Sequence, residues 1–100
     1  MIMSKREKTV EKVIRCDEVV CGAVSYSYTL TAAENKNHAS FRIPLYSVTV
    51  EMTDEDGEVT SASVKDAFCD VGQALIFYGK IVEGLATPID LAYVYEDEMA

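Results

Sequence analysis

Few residues in this chain are of types that carry chemistry, and their spacing limits what they can do. His38 is the only histidine. It sits in the loop sequence Asn35-Lys36-Asn37-His38-Ala39, with no sequence neighbour to orient its ring as a general base requires. A solvated loop residue is the expected role. Cys16 and Cys21 offer two thiolates, but a closed zinc site takes four ligands, and Cys69 and His38 would have to arrive from distant parts of the chain. Idle or buried thiols are expected instead. Asp54-Glu55-Asp56-Gly57-Glu58 opens like a calcium loop and then departs from it. Counted from Asp54, the glycine falls fourth rather than sixth, and the twelfth residue is Lys65 rather than a glutamate. No glycine-rich phosphate loop and no nucleophile elbow is present. No catalytic set, metal set or cofactor motif emerges, and none of the three is expected.

The elements that would position any such residues are easier to read. Asp70 to Leu85 has the one long period in the chain. Val71, Ala74, Leu75, Tyr78, Ile81, Val82 and Leu85 recur at spacings that put them on one stripe of a helix. Asp70 with Gln73 makes a capping box, and Gly84 fits a left-handed closing residue. Gly79, in mid-helix, suggests close approach of another backbone on that flank. Ile76 falls on the opposite side of the wheel and is expected to face outward, either as a tolerated apolar residue or as a subunit contact.

Ahead of that helix the pattern is that of strands. Lys8–Cys16 alternates loosely, with Val10, Ile14 and Cys16 on one side, Glu11 and Arg15 on the other, and Lys12 as an edge guard. Val13 breaks the alternation. Asp17–Gly22 reads as a connector. Val24, Tyr26, Tyr28 and Leu30 alternate strictly with Ser25, Ser27, Thr29 and Thr31, the clearest strand in the chain, with one apolar and one hydroxyl face. After a polar loop over residues 33–39, Ser40–Met52 changes phase. Phe41, Ile43 and Leu45 are out of step with Tyr46, Val48, Val50 and Met52, which calls for a bulge at Pro44–Tyr46. The turn over residues 53–58 has Gly57 at a positive-φ position, and Val59–Lys65 returns as a second edge strand. Thr87-Pro88-Ile89-Asp90 starts a second helix, expected to fray after Tyr95 because Glu96, Asp97 and Glu98 oppose its dipole. The fold class is therefore α+β: a four-stranded antiparallel meander followed by a long and a short helix on one sheet face, β-β-β-β-α-α. Residues 1–7 read as a disordered tail, 8–97 as the single domain, and 98–100 as a frayed end.

Charge narrows the partners. The chain carries a net charge of −8 over 100 residues. Residues 1–15 hold five basic and two acidic side chains, so the body of the chain is more acidic still. Such a surface repels nucleic acid and anionic membrane. No aromatic and basic residues interleave as in RNA-binding sheets; Tyr26 and Tyr28 come nearest and belong to the apolar face. The polar start of the chain, the lack of a membrane-length apolar run, and an odd number of cysteines, three, point to the cytoplasm.

Two groups of short motifs carry a resemblance. One is Tyr28-Thr29-Leu30 followed by Glu34-Asn35-Lys36 and Tyr46-Ser47-Val48-Thr49-Val50. The other is Ala86-Thr87-Pro88-Ile89-Asp90-Leu91 with Val94-Tyr95-Glu96-Asp97. Over residues 24–97 the chain resembles a family of small uncharacterised proteins of anaerobic Firmicutes, a domain of unknown function. The resemblance implies a bacterial origin and brings no activity or catalytic residue with it.

A non-enzymatic module that self-associates as a homodimer, or that takes an unidentified protein partner, is the leading expectation. The interaction surface is expected on the edge at Val59, Ser61, Ala62 and Ser63, or at Ile76. The alternative is a small-ligand binder or accessory enzyme subunit with a pocket between helix and sheet at Tyr26, Tyr28, Tyr78 and Gly79. The cysteine reading carries its own test. Elemental analysis of purified protein should find no stoichiometric zinc or calcium, and one equivalent of zinc lost on Cys16→Ser would contradict it.

Overall fold

The computed structural model describes residues 10–34 and 44–99. The tail at residues 1–7, Lys8, His38, Phe41 and Ile43 lie outside the described residues. Four strands, β1 (Val10–Cys21), β2 (Val24–Glu34), β3 (Pro44–Thr53) and β4 (Val59–Phe68), precede two helices, α1 (Val71–Glu83) and α2 (Pro88–Met99). The strands form one open antiparallel sheet in the order β1-β2-β3-β4. The helices lie on one face of it, the α+β arrangement expected from the element order.

Cross-strand partners share a face, so the register sorts the side chains. Tyr28 and Leu30 pair with Val50 and Val48 on the covered face, and all four are fully buried. The helices add Ala74, Phe77, Tyr78, Ile81 and Leu91 to this core. On the other face Ser27, Thr29 and Thr31 pair with Glu51, Thr49 and Ser47. Thr49 Oγ1 and Ser63 Oγ lie 2.9 Å apart there, a hydroxyl hydrogen bond between β3 and β4.

The strands run longer than the sequence reading, β2 on to Glu34 and β4 on to Phe68, and differ from it in three further places. Asp17–Gly22 is not a connector: β1 continues to Cys21, and Gly22, at φ 63°, turns the chain straight into β2. The register of β1 slips between Val13 and Arg15, leaving Ile14 as a bulge. That slip is why Val13 spoils the alternation. It also separates Ile14, which packs on the core, from Cys16, which pairs with Thr29 on the open face. The phase change in β3 is not met by a bulge at Pro44–Tyr46, because β3 pairs with β2 without interruption. The irregularity lies across the other ladder, in β4 between Val64 and Phe68. There Asp66 adopts φ 51° and its N–H donates to the buried Ser47 Oγ at 2.9 Å.

The start of α1 follows the reading. Asp70 Oδ2 accepts from Gln73 N–H at 2.9 Å. Its end is shifted by one residue. Ala86 N–H donates to Ile81 C=O and Leu85 N–H to Val82 C=O, the paired bonds of a Schellman closure. The left-handed residue of that motif is Leu85, at φ 50°, while Gly84 keeps a right-handed φ of −85°. The buried stripe is also rotated. Phe77 is wholly buried, whereas Val71 and Leu85 are exposed and Leu75 and Val82 half-buried. Gly79 serves no close approach, since a Cβ built there meets nothing within 4 Å. In α2, Thr87 and Asp90 exchange capping bonds of 3.2 Å. The helix does not end near Tyr95 but runs to Met99, where Lys80 of α1 grips Glu98 at 2.6 Å.

Chemical denaturation tests this orientation. Phe77→Ala should cost about 3–5 kcal/mol and Ile81→Ala about 2–5 kcal/mol, while Ile76→Ala should stay within about 0.5 kcal/mol. Equal losses at Ile76 and Ile81 would contradict it. Gly79→Ala should stabilise by about 1 kcal/mol, because helix propensity improves and no neighbour is displaced.

Candidate functional site

The four tyrosine-region residues singled out by sequence lie where α1 crosses β1 and β2. Tyr28 is fully buried and Tyr78 nearly so, at 2% exposure. Their hydroxyls are engaged within the chain. Tyr28 donates to the carbonyl of Ala86 at 3.0 Å. Tyr78 lies 2.7 Å from Asp17 Oδ2 and 3.1 Å from the carbonyl of Tyr28, both acceptors for its single proton. Tyr26 is half-buried and stacks on Tyr28 with centroids 6.2 Å apart. Arg15 places its guanidinium 5.9 Å from the centre of the Tyr78 ring.

This environment fixes the protonation of both phenols. Burial, and after it the neighbouring Tyr26 and Cys21, raise Tyr28 above the ordinary tyrosine value. Burial does the same for Tyr78, followed by its hydrogen bond to Asp17, the Asp17 charge and Cys16, with Arg15 opposing. Each phenol therefore stays protonated at neutral pH and serves as a donor. Sequence reasoning missed Asp17 because it fell in the expected connector, and Arg15 because simple alternation puts it on the side opposite Ile14, whereas the slip after Val13 pairs it with Leu30 on the covered face. Asp17-Glu18-Val19-Val20-Cys21 does not alternate, so the strand-favouring pair Val19 and Val20 was the one available signal.

The cysteines do not gather. Cys16, Cys21 and Cys69 are all exposed and unpaired. Cys16 shares the open face with Thr29, and Cys21, paired with Val24, the covered one. Among the described residues no three of His, Cys, Asp and Glu come together as a metal site. The acidic turn folds on itself: Asp54 Oδ1 accepts from the N–H groups of Asp56 and Glu58, and Gly57 takes φ 85°.

The remaining predicted residues mark surfaces. Ile76 is 60% exposed on α1 and walls a crevice with Phe68, Gln73 and Glu98. Val59, Ser61, Ala62 and Ser63 lie on β4, which has β3 on one side and no described strand on the other. Asp54 N–H bonds to Glu58 C=O at 3.0 Å, which sets the phase of the ladder. Thr60, Ala62 and Val64 turn their backbone groups toward Met52, Val50 and Val48. Val59, Ser61 and Ser63 point theirs away from the sheet. Ala62 belongs with the covered face, where it packs against the core, so its side chain is not part of the edge surface. From Val59 to Val64 the edge carries no charged side chain, and the bulge at Asp66 ends its regular stretch. The opposite edge, β1, carries Glu11, Lys12, Arg15, Asp17 and Glu18.

No helix among the described residues is long and apolar enough to cross a membrane. No curated protein matches the chain, and no solved structure does. A family model does match, from residue 7 to residue 100, and the chain belongs to that family, DUF6514, a family of unknown function.

Proposed function

We propose that this protein is a small non-enzymatic module of the bacterial cytoplasm that works by self-association, two copies joining through the outer edge of β4. The observation that carries this reading is the uncharged stretch Val59–Val64, with the backbone groups of Val59, Ser61 and Ser63 turned outward. An edge with unmet donors and acceptors is a template for another strand, and main-chain pairing of this kind needs no side-chain motif. A two-fold axis through Ser61 sets Ser61 against its own copy and Val59 against Ser63, giving a continuous eight-stranded antiparallel sheet. The edge of β1 is guarded by charges of both signs and is the poorer template. The net charge of −8 supports a protein partner over nucleic acid or anionic lipid. Three exposed, unpaired cysteines accord with a reducing compartment.

Equilibrium sedimentation tests the proposal. The unmodified chain at about 100 μM, well above a micromolar dissociation constant, should show a mass near twice 11.0 kDa. Ser61→Pro removes an outward donor and leaves the bonds to β3 alone; Ser63→Lys places a charge on the edge. Both should shift the dimer toward monomer with unchanged circular dichroism. A clean monomer at that concentration would refute the proposal.

A further inference from the structure

We infer that the crevice between α1 and α2 is the docking site of the chain's own residues 1–9. An apolar side chain of Met1-Ile2-Met3 sits in the crevice, and Lys5 and Arg6 lie against the acidic end of α2. This contact belongs to the helix layer and does not depend on pairing at the β4 edge.

The crevice has the size of one side chain. Gln73 and Ile76 of α1, Phe68 at the end of β4 and Glu98 of α2 line a space of about 100 Å³. Small-molecule sites measure roughly 300–1,000 Å³, whereas a cavity of about 150 Å³ takes a group the size of benzene. Phe68 and Ile76 make the lining apolar, and its one carboxylate is already held by Lys80. A methionine or isoleucine side chain suits such a space better than a metabolite does.

The end of α2 calls for cations. Glu96, Asp97 and Glu98 lie close to its C-terminus, and its last turn has no basic side chain. Three carboxylates there oppose the helix dipole, yet α2 runs on to Met99. Among the described residues only Glu98 of the three forms an ion pair, with Lys80. Residues 1–9 offer the complement: Met1, Ile2 and Met3 stand ahead of Lys5, Arg6 and Lys8, and Glu7 is the one acid among them.

The strand ladders bring the segment and the crevice within reach. Lys12 pairs with Ala32, Ala32 with Tyr46, and Tyr46 with Phe68, so β1 and β4 are level at this end of the sheet. Three strand spacings separate Lys12 from Phe68, about 14 Å, and Val10 lies about 7 Å further along β1. Val10 is thus about 16 Å from Phe68, while six extended residues span about 20 Å. Residues 4–9 are long enough to cross from β1 to the crevice and deliver residues 1–3 into it, with Lys5 and Arg6 beside the last turn of α2. Docked this way the segment covers Ile76, which leaves the β4 edge as the free contact of the module.

Nuclear Overhauser contacts in the full-length chain test the site. Methyl protons of residues 1–3 should show contacts to the Phe68 ring and the Ile76 methyls, with strengths independent of protein concentration. Ile2→Gln with Met3→Gln, and separately Ile76→Lys, should abolish them while circular dichroism stays unchanged. Lys5→Glu with Arg6→Glu should weaken them by about half or more, because two attractions become repulsions. Ser61→Pro should leave them intact, whatever it does to the mass in solution. Absence of the contacts in the unmodified chain would overturn the docking. Contacts that survive Ile76→Lys would overturn the crevice as its place. Contacts seen only between differently labelled copies would overturn docking within one chain, and contacts indifferent to the reversed charges would overturn the part given to the end of α2.

Discussion

The Tyr28 hydroxyl decides where the helices sit. It is buried in the middle of the sheet's covered face, and its acceptor is the carbonyl of Ala86, the residue that both closes α1 and precedes the cap of α2. An unmet buried hydroxyl costs about 1–3 kcal/mol, so the turn between the helices has one favourable place to rest. The carbonyl of Tyr28 is in turn an acceptor for Tyr78, whose hydroxyl also reaches Asp17 on the outermost strand. Two phenols thus bind β1, β2, α1 and the inter-helix turn into one unit. The left-handed Leu85 belongs to the same arrangement. A leucine there costs roughly 1–2 kcal/mol relative to right-handed backbone, and the Schellman closure it completes delivers the Ala86 carbonyl to Tyr28.

How much of this was legible depended on how far each local rule reaches. The alternation of Val24 to Thr31 and the caps at Asp70 and Thr87 are set by neighbours a few residues apart, so the sequence states them directly. The two bulges are not of this kind. Ile14 and Asp66 slip because a distant strand fixes the register on either side of them, and a single strand read alone shows only a broken pattern. In β3 the break was visible, yet the extra residues belong to β4, its partner. Phe77 was lost to the choice of stripe. The stripe from Val71 to Leu85 leaves Phe77 out, and the sheet instead buries the side carrying Phe77, whose ring meets Phe68 and Tyr95 at 5.2 and 5.9 Å. For the candidate surface, the run Val59–Lys65, with its single charge at the end, could be read as an edge, but which backbone groups face outward required the pairing to β3.

The two faces of the sheet answer to different solvents. One is closed by helices and aromatic rings. The other presents Ser25, Ser27, Thr29 and Thr31 beside Thr49, Ser61 and Ser63, side chains that bond to one another or to water with little gain from being covered. A face of this kind lets a two-layer protein remain two-layered. The demand for a partner then falls on the rims, where backbone rather than side chain is left incomplete.

The alternation of β1 has a consequence for redox chemistry. Cys16 and Cys21 are an odd number of residues apart, so the pleat sends them to opposite faces, with α-carbons about 16 Å apart at about 3.3 Å per residue. Cys69 lies beyond the end of β4, across two intervening strands from β1. A disulfide needs α-carbons within about 7 Å. No thiol in the folded chain can reach another of its own, so any cross-link an oxidant produces in the native protein records an encounter between molecules.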